Sequence, residues 1–242
     1  MEGFTYSDIF ETKGIEYLVI IGFFAILIPF WLLLTRKVKI AETVRKALGA
    51  ISLRSLRIPQ GMFYSGNHTW AHLERSGFAS VGIDDLLVQI TGEVTFMGLK
   101  NTGDRIVKGE PMGIIGHNGS SLKILSPVSG EVLTVNPVLR NDPGSVSEDP
   151  YQKGWMYKLK PSDWVAETSS YRLAGDATSW FEQELARFRD FLARYAMGLS
   201  PESSRLILQD GGEISDHILT ELPPEVWNKF QDDFLGTTDI VK

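Results

Sequence analysis

Residues 113–135 read GIIGHNGSSLKILSPVSGEVLTV. Gly113-Ile114-Ile115, Lys123-Ile124-Leu125 and Gly130–Val135 are short β-branched runs, the pattern of strands separated by turns. Asn118-Gly119, between the first two, suits a type I′ hairpin turn, because both central residues of that turn need positive φ. The same texture extends from Gly61 to Trp164, with Phe78–Ile83 and Gly92–Met97 as further strands. Short strands at regular spacing with frequent turns predict an all-β sandwich or barrel. Ile83–Ile90, IDDLLVQI, is the exception, a short helix with Asp84 or Asp85 available to cap it. Gly61–Gly66 precedes no helical pattern and reads as a loop. Thr91-Gly92-Glu93-Val94 is echoed by Ser129-Gly130-Glu131-Val132, which suggests two pseudo-symmetric β halves.

Six stretches then occur in a telling order: Asn67-His68-Thr69-Trp70, Val81-Gly82-Ile83, Gly92-Glu93-Val94, Gly103-Asp104, Pro127–Val132 and Glu148–Trp155. This set resembles the glycine cleavage H-protein family of lipoyl/biotinyl carriers. The most specific part is Asp149-Pro150-Tyr151 with Gly154-Trp155, placed after Pro-Val-Ser-Gly-Glu-Val. The resemblance implies a lipoyl-domain-like flattened barrel of two antiparallel sheets. It also implies a lipoylated lysine at a hairpin tip, whose arm shuttles an aminomethyl group between partner enzymes.

Counted back from Pro127, the family's lysine falls on Gly119 and its acidic position on Gly116. Lipoylation needs a primary amine on a flexible stem at an exposed turn. The tip His117-Asn118-Gly119-Ser120 contains none. Lys123 is the substitute position, but Leu122–Leu125 reads as strand; Lys100 and Lys108 belong to turns elsewhere. No lipoate is therefore expected, and a true carrier using a displaced lysine is the alternative.

Tyr17–Leu34, YLVIIGFFAILIPFWLLL, is apolar throughout and would rise about 27 Å as a helix, close to the thickness of a bilayer core. Tyr17 and Trp31 suit the two interfaces, and Arg36-Lys37 follow. The acidic residues 1–16 lack the basic start of a signal peptide, so 17–35 is predicted to be an uncleaved single-pass anchor. Arg36, Lys37, Lys39, Arg45, Lys46, Arg54 and Arg57 face only Glu42 over residues 36–57. That asymmetry predicts an outside N-terminus and a cytoplasmic main domain at the inner membrane. Within the basic linker 36–60, Val38, Ala41, Val44, Leu48 and Ile51 predict an amphipathic surface helix over 38–57.

After the β domain of 61–164, residues 165–242 turn helical. Trp180, Phe181, Leu185, Phe188, Phe191, Leu192 and Tyr195 recur at three- and four-residue spacing, predicting an amphipathic helix over 176–198. Ser200-Pro201 opens a second helix closed by Gly211-Gly212, and Pro223-Pro224 opens a third ending before Gly236. Trp180, Phe181, Phe188, Trp227 and Phe230 are expected to be docking anchors for a partner, mutual packing of the helices being the competing use.

Composition narrows the function classes. The 242 residues are 43% hydrophobic and 22% charged, a globular balance. A net charge of −6 argues against nucleic-acid binding. The absence of cysteine excludes disulfides, thiolate zinc sites, iron–sulfur clusters and C-x-x-C-H haem attachment. His68 and His72 with Glu74 lack H-E-x-x-H spacing, and no nucleophile elbow, Walker loop or dinucleotide fingerprint occurs. No catalytic residue, cofactor or metal is expected. The sequence thus predicts a non-catalytic subunit that touches the lipid bilayer and docks protein partners in a membrane redox or transport complex.

Overall fold

The computed structural model describes residues 17, 19–31, 51–197 and 217–236. The chain divides into two units, Met1–Glu42 and Thr43–Lys242. In the first unit, residues 19–31 are helical (α1) and rise about 20 Å. Its large apolar side chains are exposed, and Tyr17 and Trp31 are 63% and 67% exposed. Among the described residues no helix is long and apolar enough to cross a membrane. Residues 18 and 32–35 of the predicted span, with Arg36 and Lys37, lie outside the described residues.

The second unit carries nine strands among its described residues: β1 Phe63–Tyr64, β2 Thr69–Leu73, β3 Ala79–Ile83, β4 Thr95–Met97, β5 Arg105–Ile106, β6 Pro111–His117, β7 Ser120–Leu125, β8 Gly130–Val135 and β9 Tyr157–Pro161. They form a six-stranded sheet in the order β1-β2-β3-β9-β8-β5 and a three-stranded sheet, β4-β6-β7. All pairings are antiparallel. Alternation sets which side chains enter the core: β7 buries Leu122 and Ile124 while Ser121 and Lys123 face out. The Tyr157 hydroxyl of the larger sheet donates to the Met112 carbonyl of the smaller one at 2.6 Å. Gly82 lies under the Trp70 indole, where a Cβ would come within 2.8 Å of the ring. The Trp70 Nε1–H donates to the Ile83 carbonyl at 2.8 Å.

The helices of this unit are α2 Asp85–Thr91, α3 Val138–Asn141, α4 Gly144–Glu148, α5 Trp164–Thr168, α6 Ala174–Met197, α7 Ile218–Glu221 and α8 Pro224–Lys229, which runs into a π-helical turn at Phe230–Phe234. Asp84 is the cap of α2, its carboxylate accepting from the Leu87 N–H at 2.8 Å.

Several expectations need correction. Gly61–Gly66 is not all loop, because Phe63 and Tyr64 pair with Ala71 and Trp70. The surface helix predicted for 38–57 does not include residues 51–57, which form a turn flanked by irregular backbone. Ile51 is fully buried, and the Arg57 N–H donates to Asp85 Oδ2 at 2.9 Å, so this stretch belongs to the folded unit. Residues 38–50 lie outside the described ones. The expected boundary at 164/165 falls inside α5. The repeated Gly-Glu-Val has two conformations: Gly92 caps α2 at φ +65°, whereas Gly130 opens β8 opposite Ile106 and Pro161. Helices α3 and α4 lie between β8 and β9, where the sequence predicts no helix.

Candidate functional site

Strands β6 and β7 form a hairpin in which His117 pairs with Ser120, Gly116 with Ser121 and Ile114 with Lys123. Asn118 at φ +46° and Gly119 at φ +87° make the two-residue loop, the signs a type I′ turn needs. Both are exposed, and a Cβ at Gly119 would meet nothing within 4 Å. His117 is held at the base of the turn. Its Nδ1–H donates to the Glu93 carbonyl at 2.9 Å, and its Nε2, 2.9 Å from Asn118 Nδ2, accepts from that amide. Ser120 is buried.

No lysine stands at this tip. Lys123 is exposed but lies within β7, its N–H donating to Gln231 Oε1 and its carbonyl accepting from Gln231 Nε2 at 3.4 Å. Those two bonds occupy the backbone of an edge strand, which otherwise presents unpaired groups to solvent. A lysine chain long enough to carry a swinging arm needs an exposed turn. The residues at the tip therefore do not fit a lipoyl group. Lys100 pairs with Glu110 at 2.9 Å, and Lys108 Nζ donates to the Glu167 carbonyl at 2.6 Å.

A second constellation was not expected from the sequence. His68, fully buried at φ +57° between β1 and β2, lies 2.9 Å from Asp84 Oδ2 through Nδ1. Its Nε2 stands 3.4 Å from Glu184 Oε2 on α6, an ion-pair distance without hydrogen-bond alignment. Arg187 donates through Nε to the same Glu184 oxygen at 2.8 Å and through Nη2 to the Phe234 carbonyl at 2.9 Å. Burial disfavours the imidazolium, but the Asp84 and Glu184 carboxylates outweigh it and raise the His68 pKa to about 9. Burial likewise opposes ionisation of Glu184, yet His68 and Arg187 hold its carboxyl below the usual range.

These groups form a column. Arg172 lies 5.1 Å over the Trp180 ring, Trp180 stacks on His68 at 5.2 Å, His68 stacks on Phe234 at 5.2 Å, and Arg187 lies 4.1 Å over the far ring. A trace of this was available in the sequence: Glu184 sits on the apolar stripe of α6, in step with Trp180 and Phe188. In the sequence His68 stands in the family's opening motif and near His72 and Glu74, and neither setting points to Asp84 or Glu184. His72 is separate, its Nδ1 bonded to the Gly61 carbonyl at 3.0 Å. Among the described residues no cluster suits a metal ion.

The aromatics expected to anchor a partner are turned inward. Trp180, Phe181, Phe188, Trp227 and Phe230 are 7%, 0%, 0%, 1% and 0% exposed, so mutual packing within this chain has consumed the face offered for docking. Phe188, Phe191, Phe230 and Phe234 meet at centroid distances of 4.8–6.3 Å. Trp227 Nε1–H donates to the Leu219 carbonyl at 2.7 Å. The helix predicted from Ser200-Pro201 lies outside the described residues.

The sequence profile described as Glycine cleavage H-protein matches residues 62–182, half of the chain. The chain is 36% identical over 108 residues to the glycine cleavage system H protein of Anaeromyxobacter sp. (strain K), covering 45% of this chain and 84% of that relative. It is 35% identical over 125 residues to glycine cleavage system H protein 2 of Pseudomonas aeruginosa, covering 50% and 96%. Among solved structures, it is similar to the H protein of Mycobacterium marinum, with 28% identity and a TM-score of 0.41 over 43% of this chain and 87% of that one. The profile match includes His68, Asp84 and Trp180 but ends before Glu184, Arg187, Gln231 and Phe234.

Proposed function

Since the chain belongs to the glycine cleavage H-protein family, we propose that it keeps the carrier fold without the carrier arm and serves as a non-catalytic, membrane-anchored subunit that docks protein partners. The observation that carries this reading is the hairpin tip, where Asn118 and Gly119 make the turn and no amine is available to acylate. Segment 17–35 is the proposed anchor, supported by the all-round apolar, exposed α1. With the aromatics of the extension engaged in cis, the surface proposed for docking is the outer face of the carrier domain.

Intact mass spectrometry of the full chain, purified from membranes of its own host, tests the reading. The expected mass is that of the unmodified polypeptide, with stoichiometric companion proteins retained after mild detergent extraction. A lipoyl adduct on any lysine would overturn it, and a lone monomer would count against a docking role. The second reading, a lipoyl carrier using Lys123, is favoured by the relatives, which are named as glycine cleavage system H proteins. The same mass measurement separates the two.

A further inference from the structure

A cavity of about 600 Å³ lies between the β1–β2 turn, the β5–β6 turn and the segment joining α5 to α6. Asn67, Lys108, Ser170 and Arg172 line it, beside Glu167 and Tyr171. The last two are already engaged. The Glu167 carboxylate accepts from the Ser129 N–H at 2.7 Å and from the Ser129 hydroxyl. The Tyr171 hydroxyl donates to the Pro127 carbonyl, and its ring lies 4.5 Å beneath Lys108 Nζ.

What remains is a set of donors. Arg172 is half-buried with its guanidinium over the Trp180 ring, and among the described residues it meets no carboxylate. The Asn67 carboxamide has no hydrogen-bond partner among them either. Lys108 Nζ gives one of its three protons to the Glu167 carbonyl and keeps two. Two cations thus face one engaged carboxylate, in a chain whose net charge is −6. Leaving a half-buried guanidinium without an acidic partner is unfavourable unless something fills that role.

We infer that this cavity binds the oxyanion group, carboxylate or phosphate, of a small organic molecule. Arg172 is the planar fork that holds two oxygens at once, Lys108 the mobile point charge, and Asn67 a neutral donor at the side. The volume exceeds what a bare ion fills and is of the size that small-molecule sites have. Val107, 60% exposed on the same wall, offers the ligand's carbon body an apolar contact. Ligand and carrier chemistry are independent here, because the cavity uses no residue of the β6–β7 turn.

The test is an amide NMR titration of the full chain in detergent micelles, with inorganic phosphate in one arm and glutarate in the other. Saturable shifts of the Gly66, Asn67 and Gly109 signals are expected in at least one arm, and the tighter arm identifies the oxyanion. Arg172→Met, which keeps an aliphatic stem on Trp180, should weaken binding at least roughly tenfold to a hundredfold, the loss of its charge-assisted hydrogen bonds to the oxyanion. Lys108→Gln, at an exposed position, should weaken it less and tests the site independently should Arg172→Met unfold. Absence of saturable shifts in both arms, or binding that neither substitution alters, would overturn the proposal.

Discussion

The imidazole of His68 and the ring of Phe234 lie 6° from parallel with centroids 5.2 Å apart. One residue opens the region matched by the family profile and the other stands beyond its end. The contact therefore fastens the C-terminal extension to the carrier domain. Trp180 closes the other face of the imidazole, so a ring flanked by two aromatics is also flanked by two carboxylates at its edges.

Replacing His68 by alanine leaves Asp84 and Glu184 buried without the charge between them. Removing one partner of such a group costs about 3–5 kcal/mol. Urea unfolding should show a loss of that order, with His68→Gln intermediate because its amide still donates. A loss below about 1 kcal/mol would mean that the column contributes packing alone.

The same pair predicts the pH dependence. The His68 pKa is raised to about 9, so its contribution is complete below the ordinary imidazole value and fades as pH rises through 9. Glu184 is shifted downward, so its contribution is complete above the ordinary carboxylate value and is lost as pH falls through its lowered one. The urea midpoint should decline from the ordinary imidazole value up to about pH 9 and level off above it, and this alkaline decline should be absent in His68→Gln.

Gly119→Lys supplies the amine at the turn. The position is open, while φ +87° costs a side chain about 1–2 kcal/mol. The variant should fold, and co-expression with a lipoate–protein ligase should add one lipoyl mass, read by intact mass spectrometry. An unmodified product would show that more than the amine is missing.

Trp227→Ala removes a fully buried indole and its bond to Leu219, a loss of about 3–5 kcal/mol if the segment stays seated. Alternatively α7, α8 and the π turn detach, and Gln231 leaves the β7 edge. Hydrogen exchange at the Lys123 amide reads this directly and should accelerate, while the Ile115 amide inside the hairpin is unchanged.

Local chemistry made much of this legible. Asn118-Gly119 announced its turn and the spacing of Trp180, Leu185 and Phe188 the long helix α6, while the choice of Asp84 over Asp85 as the cap of α2 came from the fold. Strands β1 and β5 are two residues long and carry no readable period, and β2 and β9 also lie outside the strands predicted from the sequence; all four are fixed by pairing partners elsewhere in the chain. Ile51–Arg57 read as helix because an apolar residue every third or fourth place looks alike whether the backbone continues or turns.

The β texture, the family resemblance, the turn at Asn118-Gly119 and the apolar stripe of α6 are legible in the chain without its fold. Each depends on neighbours a few residues apart, through φ preferences and side-chain period. What covers that stripe, and what charge His68 carries, follow from the folded arrangement alone. An apolar face requires burial without specifying its partner, and a histidine's protonation follows from burial and from carboxylates that distant segments bring beside it. In this chain the carrier domain supplies Asp84, the extension supplies Glu184 and Phe234, and the two parts close on one imidazole.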